Sequence, residues 1–169
     1  MDSHRETSTS PRMRKSKYTL LYYIGLLAVL LCVSCDSKTV YSHYQSVALA
    51  GWEKNDVISF GTAPLEQQGT YQEKIGIRIN GAFPFMALTL IVDQKVFPTL
   101  ETHCDTLSCE LINEDGNVMG EGISHYQYTF PLKTLTLQKN DSLSIHIRHD
   151  MKREILPGVS DIGIILEKE

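Results

Sequence analysis

Tyr71-Gln72-Glu73-Lys74-Ile75-Gly76-Ile77-Arg78-Ile79-Asn80 decides the fold class. Tyr71, Ile75, Ile77 and Ile79 fall on one face of an extended chain, and Gln72, Lys74, Arg78 and Asn80 on the other. That period of two belongs to a strand with one face in a core. Asn80-Gly81, a tight-turn dipeptide, follows it. The alternation returns in Asp105-Thr106-Leu107-Ser108-Cys109-Glu110-Leu111, which leads to the turn pair Asp115-Gly116, and in Ser142-Leu143-Ser144-Ile145-His146-Ile147-Arg148. Residues 85–92 are more continuously apolar, as expected of a strand covered on both faces. Residues 160–166 make a last strand, and 40–49, 56–61, 125–130 and 132–137 are weaker candidates. Only 47–52 offers as much as one helical turn. Eight or nine short strands with Gly, Pro and Asn at their ends predict an all-β fold, a single antiparallel β-sandwich. A jelly-roll path is one way of connecting it, and a closed barrel satisfies the same pattern.

Upstream of these strands, residues 1–34 read as an address. Met13-Arg14-Lys15-Ser16-Lys17 is basic, residues 18–33 are apolar and uncharged, and Ser34-Cys35 follows: the n-region, h-region and cut site of a secretory signal. Residues 1–12 add nothing to it, so translation from Met13 or a longer n-region both fit. A single transmembrane anchor competes. The apolar run, however, makes only about 24 Å of helix at ~1.5 Å per residue, short of the roughly 20 residues a span needs. Leu30-Leu31-Cys32-Val33-Ser34-Cys35 resembles a bacterial lipobox, in which the thiol after small residues receives a diacylglycerol. Cys32 stands where that box usually has Leu, Val or Ile. Cys35 is therefore the expected lipidation site, its acyl anchor the only prosthetic group expected. Each buried CH₂ contributes roughly 0.8 kcal/mol, so more than one chain holds firmly. The expected organisation is a signal peptide, 1–34, and a lipid-anchored sandwich domain, 35–169.

The leader holds five of the sixteen basic and two of the twenty acidic residues, leaving 11 against 18, a net of −7 for the mature chain. That balance excludes a nucleic-acid partner, which requires a basic face. Cys104 and Cys109, if extended, lie about 16 Å apart at ~3.3 Å per residue. A disulfide needs about 4.4–6.8 Å, so a bridge requires Cys104 to curl back. His103-Cys104-Asp105 is a single cluster without the second pair that a zinc site needs, and it reads as a polar loop entering a strand; no metal is expected. No phosphate loop, nucleophile elbow or Cys/His signature appears, so catalysis is the weaker reading. Gly116-Asn117-Val118-Met119-Gly120-Glu121-Gly122 suits a hairpin or bulge.

The most distinctive connection is 148–159. It mixes Arg148, Asp150 and Arg153 with the apolar Met151, Ile155 and Leu156, and ends in Pro157-Gly158. Loops on a rigid scaffold are where binding concentrates, which makes Arg148, Asp150, Met151, Arg153 and Leu156 candidates for a partner-docking loop. Alternatively Met151 and Leu156 plug the end of the sandwich.

The succession of Tyr41/Tyr44, Trp52, Asp56-Val57-Ile58-Ser59-Phe60, Ile77-Arg78-Ile79-Asn80, Phe83-Pro84-Phe85, Leu88-Thr89-Leu90, Asp105-Thr106-Leu107, Gly116 with Gly120-Glu121-Gly122, Met151-Lys152-Arg153, Leu156-Pro157-Gly158-Val159 and Asp161-Ile162-Gly163 resembles the gliding-motility lipoprotein H family (GldH) of Bacteroidota. It departs from that family at Met86-Ala87, where Asn is usual, and at Val118-Met119, where an aromatic often stands. The resemblance implies an accessory envelope lipoprotein of the gliding and type IX secretion machinery, partnered by other envelope proteins and held to the membrane by its lipid. It carries over no catalytic residue. Asp36-Ser37-Lys38-Thr39 lacks the acidic run of surface-exported lipoproteins, which places the domain in the periplasm, on the inner leaflet of the outer membrane in preference to the inner membrane. The competing function is a periplasmic carbohydrate- or peptide-binding sandwich unrelated to secretion.

Overall fold

The computed structural model describes residues 38–169. The leader and Cys35 lie outside the described residues, among which no helix is long and apolar enough to cross a membrane. Eleven strands follow in chain order: β1 (Thr39–Ser46), β2 (Trp52–Glu53), β3 (Ile58–Gly61), β4 (Gly69–Asn80), β5 (Ala87–Phe97), β6 (Thr102–Glu110), β7 (Glu121–Gly122), β8 (His125–Leu137), β9 (Ser142–His149), β10 (Ile155–Leu156) and β11 (Val159–Lys168). One sheet has the order β1-β11-β4-β8-β7, a second β3-β9-β5-β6, and β2 pairs with β10 in a small ribbon. Setting aside the three two-residue strands leaves eight. They pair as first with eighth, second with seventh, third with sixth and fourth with fifth, alternately in the two sheets. This is the path of a jelly roll, a long antiparallel ribbon folded over so that its two halves face each other.

Alternation explains the layering. Tyr71, Ile75, Ile77 and Ile79 of β4 and Ile162, Ile164 and Leu166 of β11 are buried on the inner face of one sheet. Leu88, Leu90, Val92 and Val96 of β5 and Leu143, Ile145 and Ile147 of β9 are buried on the other. Each such side chain contributes about 1.5–3 kcal/mol on leaving water. The inner faces also meet through polar groups: Gln94 Nε2 on β5 donates to Glu73 Oε1 on β4 at 2.7 Å, both residues being buried.

Three strand readings change. The segments 125–130 and 132–137 are one strand, β8, with Leu132 as a bulge between Pro131 and Lys133. Pro131 is tolerated because β7 pairs with β8 only at Tyr126 and Gln127, leaving the rest of that side without a partner strand. β5 starts at Ala87 rather than Phe85 and runs to Phe97, and it is covered on its inner face alone: Thr89, Ile91, Asp93 and Lys95 point outward, half-buried. His103-Cys104-Asp105 lies within β6, not in a loop, because β6 pairs with β5 from Thr102 onward. Cys104 is an exposed free thiol and Cys109 a buried one, with burial pushing the Cys109 thiol up to about 12.

On the outer face of the larger sheet, Tyr44 lies across Gly76 and Gly163, register partners on β4 and β11. A Cβ on either glycine would strike the tyrosine ring. The Arg78 guanidinium caps that ring at 4.2 Å.

Candidate functional site

The register places the connections of the sandwich at two ends. The segments 47–57, 81–86, 111–124 and 150–158, which include β2, β7 and β10, share one end; 62–68, 98–101 and 138–141 share the other. The chain enters the domain at the second end, where Lys168 donates its backbone N–H to the carbonyl of Lys38. The predicted docking segment belongs to the first.

That segment is pinned rather than loose. Leu156 is fully buried in β10 against Trp52, so it serves the core. Met151 is half-buried, its Sδ accepting the Thr89 N–H at 3.4 Å. Gly158 has φ +83°, and a Cβ there would land on the Phe83 backbone nitrogen. Arg148 is half-buried on β9, opposite Ile91. Asp150, Lys152, Arg153, Glu154 and Ile155 are exposed. Of the five candidates, then, Arg148, Asp150 and Arg153 are open to a partner, while Met151 and Leu156 hold the loop down.

What holds this end together is a residue the sequence reading passed over. His149 is fully buried, edge-on to Trp52 with ring centroids 5.3 Å apart. Its Nε2 donates to the Trp52 carbonyl at 3.2 Å and its Nδ1 accepts the Met151 N–H at 3.4 Å, which fixes the neutral tautomer. Burial pulls its pKa below the ordinary histidine value, against the opposing pull of the Trp52 carbonyl. Trp52 Nε1 in turn donates to the Asp56 carbonyl at 3.0 Å. His149 thus ties the 47–57 and 150–158 connections to each other.

A second arrangement lies on the outer face of the smaller sheet. Register puts Ser59, His146, Asp93 and Cys104 in one row across β3, β9, β5 and β6. Ser59 Oγ lies 2.8 Å from His146 Nδ1 and Ser144 Oγ 3.2 Å from His146 Nε2. The residue types suggest a hydrolase, but the contacts do not assemble one: both imidazole nitrogens face hydroxyls, and the Asp93 carboxyl beside Cys104 holds that thiol above its ordinary range. Three residues of the row, His146, Asp93 and Cys104, line a shallow cavity of about 550 Å³ together with Lys95, Phe97 and Thr102. Such a surface can bind polar groups; no relay from Asp93 through His146 is in place. Among the described residues no cluster of three or more His, Cys, Asp or Glu could hold a metal ion.

Comparison with known proteins decides the family. The GldH lipoprotein family model matches residues 39–166, nearly the whole described domain. The chain belongs to the GldH lipoprotein family. It is 31% identical over 153 residues to the gliding motility lipoprotein GldH of Flavobacterium johnsoniae, covering 86% of this chain and 95% of that one. It is 24% identical over 155 residues to the GldH homolog of Christiangramia forsetii, covering 86% and 94%. Among solved structures, a family 115 glucuronidase matches with a TM-score of 0.41 at 12% identity, over 98% of this chain and 20% of that one. A family 35 carbohydrate binding module from Clostridium thermocellum matches with a TM-score of 0.36 at 11% identity, over 75% and 88%. At such scores neither likeness bears on function.

Within this GldH chain the residues that carry the family resemblance are largely architectural. Trp52 and Leu156 are buried, Gly122 and Gly158 adopt φ of +138° and +83°, and Tyr44 covers paired glycines. Those positions build the frame and its loop-rich end.

Proposed function

We propose that this GldH-family protein is a non-catalytic accessory component of the gliding and type IX secretion machinery, acting by binding other envelope proteins. A lipid on Cys35 anchors it, with the domain in the periplasm on the inner leaflet of the outer membrane. The observation that carries the reading is the end-to-end match to lipoproteins named for gliding motility, made by a domain whose Ser59–His146–Asp93–Cys104 row is bonded as a polar surface rather than as a catalytic relay. The test is complementation of a deletion strain. Wild type restores colony spreading, and Cys35→Ala at equal abundance does not; spreading unaffected by the deletion removes gliding from the protein's task.

A second reading has one observation in its favour: the cavity beside Phe97, with a carboxylate, hydroxyls and an imidazole, has the chemistry of a saccharide or peptide site. Titration of the soluble domain with chitotetraose, followed by NMR shifts at Asp93, Phe97 and His146, tests it. Shifts confined to those residues support it, and an unchanged spectrum at millimolar sugar removes it.

A further inference from the structure

Of the ten large apolar residues exposed on the described domain, seven belong to the loop-rich end: Leu49, Val57, Met86, Val118, Met119, Ile123 and Ile155. Three of them sit on backbone segments bonded together at one corner, and a fourth follows in the same connection. Met86 accepts the N–H groups of Leu111 and Ile112 at 2.8 and 3.0 Å, Ile112 bridges to Val118, and Met119 donates its N–H to the Leu111 carbonyl at 3.0 Å. Ile123 continues the same connection at 94% exposure. The corner is built rather than slack. Asn113 Oδ1 accepts the Asn117 N–H at 2.8 Å, Tyr128 Oη donates to the Leu111 carbonyl at 3.0 Å, and Gly120 lies so close to the Tyr128 ring that a Cβ would strike it. Exposed apolar side chains on an ordered backbone, two of them flexible thioethers, are what a protein contact uses.

Charge selects the occupant. Glu110, Glu114, Asp115 and Glu121 are exposed around this corner, and residues 110–124 contain no Lys or Arg. Lys54, Lys152 and Arg153 stand on the neighbouring connections of the same end. Anionic lipid headgroups are repelled by such a rim. The corner is also at the end opposite Lys38, where the chain enters the domain. A symmetric contact with a second copy would set acid against acid. We infer that the Met86–Val118–Met119–Ile123 corner docks a different envelope protein, one that presents apolar side chains flanked by Lys or Arg. This rests on the protein-binding reading above and names the chemistry of the partner.

The experiment uses the full-length lipoprotein in its own envelope, with a photo-crosslinking amino acid at Met119 or Ile123 and, as a control, at Leu100 on the far end. The expected result is one discrete protein adduct from positions 119 and 123 and none from 100. The captured peptide should carry basic residues beside apolar ones, and adduct yield should fall about tenfold in a Glu114→Lys/Asp115→Lys background. Glu121→Lys serves as an independent reversal if that variant accumulates poorly. Adducts to lipid, to a second copy or to an acidic peptide overturn the inference, as do no adduct or a yield indifferent to both reversals. The two readings fail separately. A basic protein captured in a strain whose deletion leaves gliding and secretion intact keeps the surface and removes the machinery; a deletion defect with no adduct does the reverse.

Discussion

Glu73 sits on the core face of β4 with no exposure to solvent. Desolvation raises its carboxyl from 4.5 to about 7, against the Gln94 amide and Lys133, which favour the charged form, and with Asp105 pushing the same way as burial. Lys133 and Asp105 pair with each other at 2.6 Å at the margin of the sandwich. Gln94 Nε2 donates to Oε1, while Glu73 Oε2 and Gln94 Oε1 have no other partner. Each is an acceptor when Glu73 is ionised, and a proton on Oε2 removes the buried charge and turns one of them into a donor. Because the folded pKa is raised, the folded chain binds the proton more tightly than the unfolded one. The contribution is complete below about pH 4.5 and is lost as pH rises through about 7. At ~1.4 kcal/mol per pH unit, ionising Glu73 in the folded chain costs about 3 kcal/mol. Glu73→Gln keeps the shape, supplies a permanent donor and cannot ionise. Thermal unfolding of the soluble 36–169 domain, followed by circular dichroism at pH 5 and pH 8, reads this directly. The variant should be close to wild type at pH 5 and more stable at pH 8 by on the order of 10 °C in Tm. A Tm difference that does not change with pH refutes the reasoning.

His149 carries the opposite slope. With its folded pKa depressed by burial, its contribution is full above about pH 6.5 and is lost as pH falls below that value; in a Glu73→Gln background, stability should decline on acidification and His149→Gln should flatten the decline, and a persistent slope assigns it elsewhere. Leu156→Ala should cost about 2–5 kcal/mol in urea unfolding, whereas Arg153→Ala should stay within about 0.5 kcal/mol; equal losses would contradict the placement of one in the core and the other at the surface. Cells fed labelled fatty acid should lose the label from this protein when Cys35 is replaced by Ala, and label persisting in the variant shows that acylation lies elsewhere.

Much of the frame was legible because alternation is local. The isoleucines of 71–80 define β4, and the same parity carries Glu73 inward; the composition rule that charges stay outside hides it, since its partner, Gln94, lies 21 residues away on the opposing sheet. His149 continues the inward series Leu143, Ile145 and Ile147 by the same count, yet it ends the pattern and its partner Trp52 is 97 residues distant. The segments 125–130 and 132–137 separate at Pro131 in the sequence, since proline is unsuited to a central strand; only the sheet order, unknown from sequence, makes its position an edge. The Ser59–His146–Asp93–Cys104 row draws one residue from each of four strands, so no local motif signals it. The corner around Met119 was visible only as a glycine-rich turn, since exposure depends on what the fold leaves uncovered.

Service in secretion by binding within the envelope machinery is tested most directly by the secretome of a deletion strain beside the same strain carrying three versions of the gene. Type IX cargo should accumulate inside the deleted cells, and wild type and His146→Ala should both return it to the medium. Glu114→Lys/Asp115→Lys, present at equal abundance, should not return it. Secretion unchanged by the deletion contradicts the claim outright, and a failure of His146→Ala with normal folding would move the activity to the polar face of the smaller sheet.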